Sequence, residues 1–380
     1  MRPRFDVRKE VVYLDNAATT MVDDEVAEAM QPFWEEEFGN SGSAHHLGRN
    51  AREAIEEARE HVAVVLQVDP STIYFTSGAT EANNWAIKGF DGTPLCSDVE
   101  HSSVLASVLR CGGSTVPVDG NGTLDLTAMQ GALSTPDVSV VSVQHANNEV
   151  GTVQPVKVVG EMCQLRDVLF HVDAAQTFGK VETNIGEMGA DMVSVSAHKI
   201  HGPVGVGALY VADGVRPRSL VDGGGQQDGM RSGTMPVPLI VGFGRAALLA
   251  WSRWRSKKKA YETMAARMEK ELGVMMGAVR NGDPSSRLPN IVSLTVPDVE
   301  ASMVAAMLDQ RHNICVSCGA ACKSFSSEVS HVLKAMGRTS DQAFGTIRVS
   351  MGWDTTEHDV EVFIGALGCA VKEARERSFD

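Results

Sequence analysis

The sequence predicts an α/β fold, with a large domain on a mainly parallel sheet followed by a smaller α+β domain. Three observations carry this. Short apolar runs at 72–75, 138–143, 168–172, 192–196 and 206–211 alternate with helical or polar segments, as in βαβ units whose sheet is covered on both faces. A long helical pattern from Pro236 to Gly277, carrying a charged patch at Arg253–Lys259, then separates this half from the rest. Beyond it the elements come in α+β order. At 380 residues the chain accommodates both domains, expected at 13–250 and 251–380, with residues 1–22 packing near the second.

Taken in order, VVYLDNAATT reads as a short strand entering a polar turn, and Asp23 or Asp24 can cap the next helix. Val26, Ala29, Met30 and Phe33 share a helical face that Pro32 bends. FGNSGSAHHLGR is a Gly/Ser-rich loop. Ala51, Ala54, Ile55, Ala58, Val62, Val65 and Leu66 then recur at helical spacing. After the long helix come a strand at 291–296, a helix after Pro297, a strand near 314–316, a helix near 327–336, a strand at 346–351 and a terminal helix.

Composition narrows the function. Hydrophobic content of 43% and charged content of 22% describe an ordinary globular protein. A net charge of −14 disfavours direct binding to nucleic acid or an anionic membrane. No run of about eighteen apolar residues exists to span a bilayer, and MRPRFDVRKE lacks the apolar stretch of a secretory signal. Seven cysteines, an odd number in a large chain, suit free thiols in a reducing cytoplasm.

Several strand ends bear chemistry. Thr76–Thr80 joins a strand to a helix N-terminus, which suits an anion or an ordinary cap. Asp173, after the strand at 168–172, could hold a protonated ring nitrogen or cap a helix. His145–Gly151 bunches polar groups at another strand end. His101 could stack on a planar ligand. Lys199, within DMVSVSAHKIHGPVGVG, is either a surface lysine or a desolvated amine able to form a Schiff base. Together, a phosphate turn, a carboxylate and a lysine are what pyridoxal phosphate requires. Cys315, Cys318 and Cys322 offer three thiolates to a metal or iron–sulfur cluster. Alternatively Cys322, on a small-residue loop beside Lys323, is a single nucleophile. Arg348 on an apolar strand needs a partner, either a substrate carboxylate or a structural acid.

The motifs LDNAATT, FTSGATEANNWAIKG, EHSSV, HANNEVGTVQP, HVDAAQTFGK, SAHKIHGPVGVGALYV, GGGQQDGMRSGT, RLPN, SCGAACKS and IRVSMG follow one another over nearly the whole chain. In this order they resemble the cysteine desulfurases, pyridoxal-phosphate enzymes of the class V aminotransferase group with fold type I. The loop around Cys322 resembles the NifS/IscS-like subgroup, in which it is long and mobile. The resemblance implies that Lys199 forms the Schiff base, Asp173 pairs with the pyridine nitrogen and Gln176 reaches the phenolate oxygen. It implies that Asn148 lies near that oxygen and the substrate carboxylate, and that His101 stacks on the ring and takes part in proton transfer. Ala79, Thr80, Ser196 and His198 would hold the phosphate. Thr234 would reach the phosphate of the neighbouring subunit, making a homodimer. Arg348 would bind the carboxylate of L-cysteine, and Cys322 would carry the persulfide to an acceptor protein for iron–sulfur assembly or nucleic-acid thiolation.

Two positions depart from the family pattern: Ser41 where proline is common, and Cys318 in place of a serine near the nucleophile. Cys318 could resolve the persulfide, relay sulfur, help hold a transient cluster, or be a tolerated difference. Two other readings stay open: a cluster-binding scaffold using Cys315, Cys318 and Cys322, and a related lyase such as one acting on selenocysteine.

Overall fold

The computed structural model describes residues 11–182, 184–319 and 329–377. Cys322 and the rest of 320–328 lie outside them.

Among the described residues the strands are β1 Val12–Tyr13, β2 Ile73–Thr76, β3 Thr93–Ser97, β4 Ser114–Val116, β5 Val138–Gln144, β6 Leu169–Asp173, β7 Met192–Ser196, β8 Gly207–Val211, β9 Val279–Arg280, β10 Ile291–Thr295, β11 Ile314–Cys315, β12 Ser317–Cys318 and β13 Thr346–Ser350. Seven form the main sheet in the order β2-β8-β7-β6-β5-β3-β4, mostly parallel, with β8 antiparallel to both neighbours. Every residue of β7 is buried, as expected of a strand with both faces covered. The helices that matter for the site are α1 His46–Leu66, α2 Ala79–Lys88, α3 Ser102–Arg110, α4 Val237–Met276 and α5 Glu357–Arg377.

The second sheet, β12-β13-β10-β9, is antiparallel and packs its apolar face with the second half of α4 and with α5. The short pair β1–β11 joins the N-terminal segment to it, with Val12 opposite Ile314 and Tyr13 opposite Cys315. The predicted strand at 314–316 is therefore two shorter ones, β11 and β12, pairing with different partners.

Helix α4 runs for 40 residues, about 60 Å. Its residues to Ala250 pack in the main-sheet core, and those from Met264 pack in the second core. Between them Arg253 bonds Asp23 and Glu25, each at 2.8 Å, and lies 4.7 Å over the Trp353 ring. Gly277, at φ 71°, ends the helix in the left-handed conformation that glycine adopts without a steric penalty.

Strands β3 and β4 escape the sequence pattern. Pro94 lies inside β3, where a missing N–H argues against an interior strand. The chain accommodates it by a register shift against β5 between Thr93 and Leu95. Strand β4 is a three-residue edge with a single buried side chain.

Close approach of α1 and α4 depends on Gly244, where an added Cβ would come within 2.7 Å of the Ala58 Cα. Replacing Gly244 by Val is expected to cost about 1–3 kcal/mol through overpacking, measured as a lower denaturation midpoint. Gly131→Ala, whose Cβ meets nothing within 4 Å, is the control and should leave stability equal or slightly higher.

Candidate active site

The C-terminal ends of β5, β6 and β7 and the turn after β2 open into one cleft of about 510 Å³. Ala79, Thr80, His101, Asn148, Asp173, Gln176, Ser196, His198, Lys199 and Arg348 all line it. A doubly covered parallel sheet leaves this crevice for a ligand.

One corner is built for an oxyanion. Gly78, at φ 150° and ψ 176°, occupies a conformation restricted to glycine and delivers the chain into α2. No side chain caps α2, so its first N–H groups face the cleft with the positive end of the helix dipole. At the end of β7 the buried Ser196 hydroxyl has no hydrogen-bond partner. His198 is held through Nδ1 to Thr19 Oγ1 at 3.1 Å. Burial, then Lys199 and Lys180, push it down to about 4, leaving a neutral ring at physiological pH. The turn is braced by Glu81, which accepts from the Ser77 N–H at 2.8 Å and receives a two-pronged contact from Arg231 at 2.8 and 3.1 Å. Burial alone would raise the Glu81 carboxyl, but the bonds from Arg231 and Ser77 hold it below its ordinary value.

The opposite corner holds Asp173. Its Oδ2 accepts from Asn83 Nδ2 at 2.7 Å and its Oδ1 from the Ala175 N–H at 3.0 Å. Between the corners stands Lys199. Its Nζ donates to the carbonyls of Ala17 and Ala18 at 2.6 and 2.7 Å. Burial first, then the Arg348 charge, push this amine down to about 8, with Asp173 and Asp15 opposing. Gln176 donates Nε2 to Ala17 O at 2.9 Å and accepts at Oε1 from Lys180 at 3.5 Å.

At the mouth, Arg348 on β13 donates through Nη2 to Asp15 at 2.6 Å and through Nη1 to Asn148 O at 3.0 Å, while its buried Nε has no partner. Both sequence alternatives for this residue thus have some ground: a structural acid is present, and one donor is unused. Strand β12 lies beside β13, with Ser317 opposite Arg348 and Cys318 opposite Ile347. Cys318 and Arg348 line an adjoining hollow of about 320 Å³. Gly319 O accepts from Ser330 N at 3.1 Å, so the described residues on either side of 320–328 meet at this hollow.

Two candidates are placed elsewhere. Thr234 is exposed and outside the cleft of its own chain. Cys315 is only partly buried, on β11, its thiol pushed up by burial and then by Asp309 and Asp15. Among the described residues no three His, Cys, Asp or Glu side chains gather as a metal site.

Sequence reasoning missed Asn83, Ser103, Glu100 and Lys180. Glu100 is fully buried, accepts from Ser97 Oγ at 2.5 Å and from Gln144 N at 2.9 Å, and is pushed up to about 8, chiefly by burial. Asn83 was visible only as one of two asparagines on a predicted helix, and only the fold shows which of them turns inward.

The arrangement fits a phosphorylated pyridine aldehyde. The uncapped helix end and the orphaned Ser196 hydroxyl suit a phosphate, Asp173 suits a ring N–H, and a half-desolvated amine stands between them.

The Aminotransferase class-V family model matches residues 12–363. A protein named cysteine desulfurase IscS 1 from Archaeoglobus fulgidus is 39% identical, over 96% of this chain and 98% of its own. A cysteine desulfurase from Rattus norvegicus is also 39% identical, over 97% of this chain and 84% of its own. A solved NifS-like protein superposes with a TM-score of 0.89 at 37% identity, covering 96% of this chain and 99% of its own. A structure titled SspA in complex with cysteine matches at 0.78 and 34%, covering 89% and 98%. With its cleft, its two-sheet architecture and these near-complete matches in agreement, the chain belongs to the class-V aminotransferase family of pyridoxal-phosphate enzymes, among the cysteine desulfurases.

Proposed function

We propose that the chain removes sulfur from L-cysteine, giving L-alanine and a persulfide on Cys322, as a homodimer in the cytoplasm that passes the sulfur to an acceptor protein. The observation that carries this reading is the Lys199 amine, desolvated and held by two carbonyls, in the same cleft as Asp173 and the uncapped end of α2.

Lys199 would hold pyridoxal phosphate covalently, Asp173 would take its ring N–H, and Gln176 would reach its phenolate oxygen. Ala79, Thr80, Ser196 and His198 would bind its phosphate, joined by Thr234 of a second copy, for which an exposed position suits. Once bound, the cofactor supplies an electron sink for the α-carbon of an amino acid. Arg348, with an unused Nε, orients the substrate carboxylate beside Asn148. The Lys199 amine would be the base at the α-carbon. The Cys322 thiolate attacks the substrate sulfur. An S–S bond forms as the Cβ–S bond breaks, and the electrons of the broken bond remain on Cβ, which takes a proton to give alanine. The meeting of Gly319 and Ser330 beside Arg348 supports Cys322 as the thiol that does this. The net charge of −14 favours a basic acceptor. No helix among the described residues is long and apolar enough to cross a membrane.

Three outcomes test the reading. Reloading stripped enzyme with pyridoxal phosphate should develop yellow absorbance at a rate rising with pH around a midpoint near 8, since only the unprotonated Lys199 amine has a free lone pair. A midpoint near an ordinary lysine's, or colour in Lys199→Ala, would overturn it. With 35S-cysteine, label retained on the denatured protein should vanish in Cys322→Ser and persist in Cys318→Ser. Arg348→Lys should lower kcat/KM for cysteine by about ten- to a hundredfold, mainly through KM, the loss expected for a charge-assisted contact of about 1.5–3 kcal/mol.

A further inference from the structure

Helices α2 and α3 bring two polar side chains, Asn83 and Ser103, into one line between Asp173 and His101. Asn83, fully buried on α2, uses both hydrogens of a single Nδ2: one goes to Asp173 Oδ2 at 2.7 Å and one to Ser103 Oγ at 2.9 Å. Its Oδ1 is buried without a partner. Turning the amide over would aim that carbonyl oxygen at a carboxylate, so the orphaned oxygen is the cost of keeping the NH₂ group between its two acceptors.

Ser103 has one hydroxyl hydrogen. Ser103 Oγ accepts from Asn83, and its hydrogen goes to His101 Nδ1, 2.8 Å away, when that nitrogen is unprotonated. The Ser103 backbone N–H also points at His101 Nδ1, at 3.1 Å, as the cap of α3. A backbone N–H cannot reverse its direction. A proton on Nδ1 would point at that fixed donor hydrogen, so the ring carries its proton on Nε2 and Nδ1 accepts from the Ser103 hydroxyl as well.

We propose that Asn83 is a positioning residue that couples Asp173 to His101 through Ser103, fixing His101 with Nδ1 as acceptor and Nε2–H as its active nitrogen. The chain of bonds runs Asp173 Oδ2, Asn83 Nδ2, Ser103 Oγ, His101 Nδ1, each link between 2.7 and 2.9 Å. It joins the carboxylate expected under the pyridine nitrogen to the imidazole expected over the ring face. Any proton that His101 exchanges with the substrate passes through Nε2, because Nδ1 is committed. Ser103 is tied down further by Ser107, whose hydroxyl donates to Ser103 O at 2.7 Å.

The inference rests on the cleft holding pyridoxal phosphate, a reading tested separately by Lys199→Ala. The relay is read on the holoenzyme with 15N-labelled histidine, by two-bond 1H–15N correlation. His101 should show a protonated Nε2 and an unprotonated, hydrogen-bonded Nδ1. In Ser103→Ala, which preserves shape, the Nδ1 resonance should move downfield as it loses the hydroxyl donor, with the visible cofactor band unchanged. Asn83→Ala should move the same resonance and also shift the visible band, because Asp173 loses its donor. Each variant should lower kcat about ten- to a hundredfold with KM nearly constant, and the double variant should be no worse than the poorer single one. A protonated Nδ1 in the wild type would overturn the proposal, as would Nδ1 resonances and kcat within twofold of wild type in both variants.

Discussion

Two backbone carbonyls, those of Ala17 and Ala18, hold the Lys199 amine, and the strap that carries them ties the rest of the molecule together. Residues 12–20 pair with Ile314–Cys315 at one end. They exchange bonds with Ser350 through Asn16 Nδ2 at 2.9 Å and the Ala17 N–H at 2.8 Å. Asp15 holds Arg348, and Thr20 accepts from the His201 N–H at 2.7 Å while its own N–H and hydroxyl donate to His198 O at 2.9 Å. One short segment thus sets the lysine, the arginine and the distance between the two sheets. Carbonyl partners suit the role as a free amine proposed for Lys199. They satisfy its hydrogens without the full negative charge that would hold it as an ammonium.

Charge around the cleft is managed by burial as much as by pairing. His145, His171 and His198 are each pushed down to about 4, chiefly by burial, and so add no positive charge near neutral pH. His171 is satisfied on both nitrogens by Ser142 and Ser194 at 2.8 Å, which makes it a core histidine despite its place in HVDAAQ. Glu100 lies near Asp173 but is pushed up to about 8, by burial first and then by the Asp173 charge. Lys180, pushed down to about 7 by burial and then by Lys199, is a second cation that weakens toward neutrality. The remaining lasting charges at the mouth belong to Arg348 and Asp15, where a zwitterionic amino acid would meet them.

The sequence made the strand ends legible because each ends an apolar run at an abrupt polar cluster. SAHK, HVDAAQ and TSGAT all lie where their patterns place them. What it hid has physical reasons. Pro94 disguised a sheet strand, and only a register shift makes room for it. The partner of Arg348 is 333 residues away, at Asp15, beyond any local pattern. Asn83 and Asn84 look alike in ANNW, yet Asn83 is buried against Asp173 while Asn84 bonds locally to Thr80 O. Thr234 reads as part of the site from its motif, yet it is exposed and outside the cleft of its own chain.

The residues that flank the Cys322 segment are placed by the second sheet. Strands β12 and β13 pair so that Ser317 faces Arg348, and the chain returns at Ser330, whose hydroxyl donates to Glu149 at 2.5 Å beside Asn148. A nucleophile near Lys199 on the main sheet would need a fixed position among strand ends already occupied by Asp173, Ser196 and His198. Gly319 and Ser330, bonded to each other in the hollow that Arg348 also lines, stand apart from those strand ends. The main sheet thus holds the cleft, and the second sheet holds Arg348 and the flank Ser317–Gly319 of the segment proposed to carry the nucleophile.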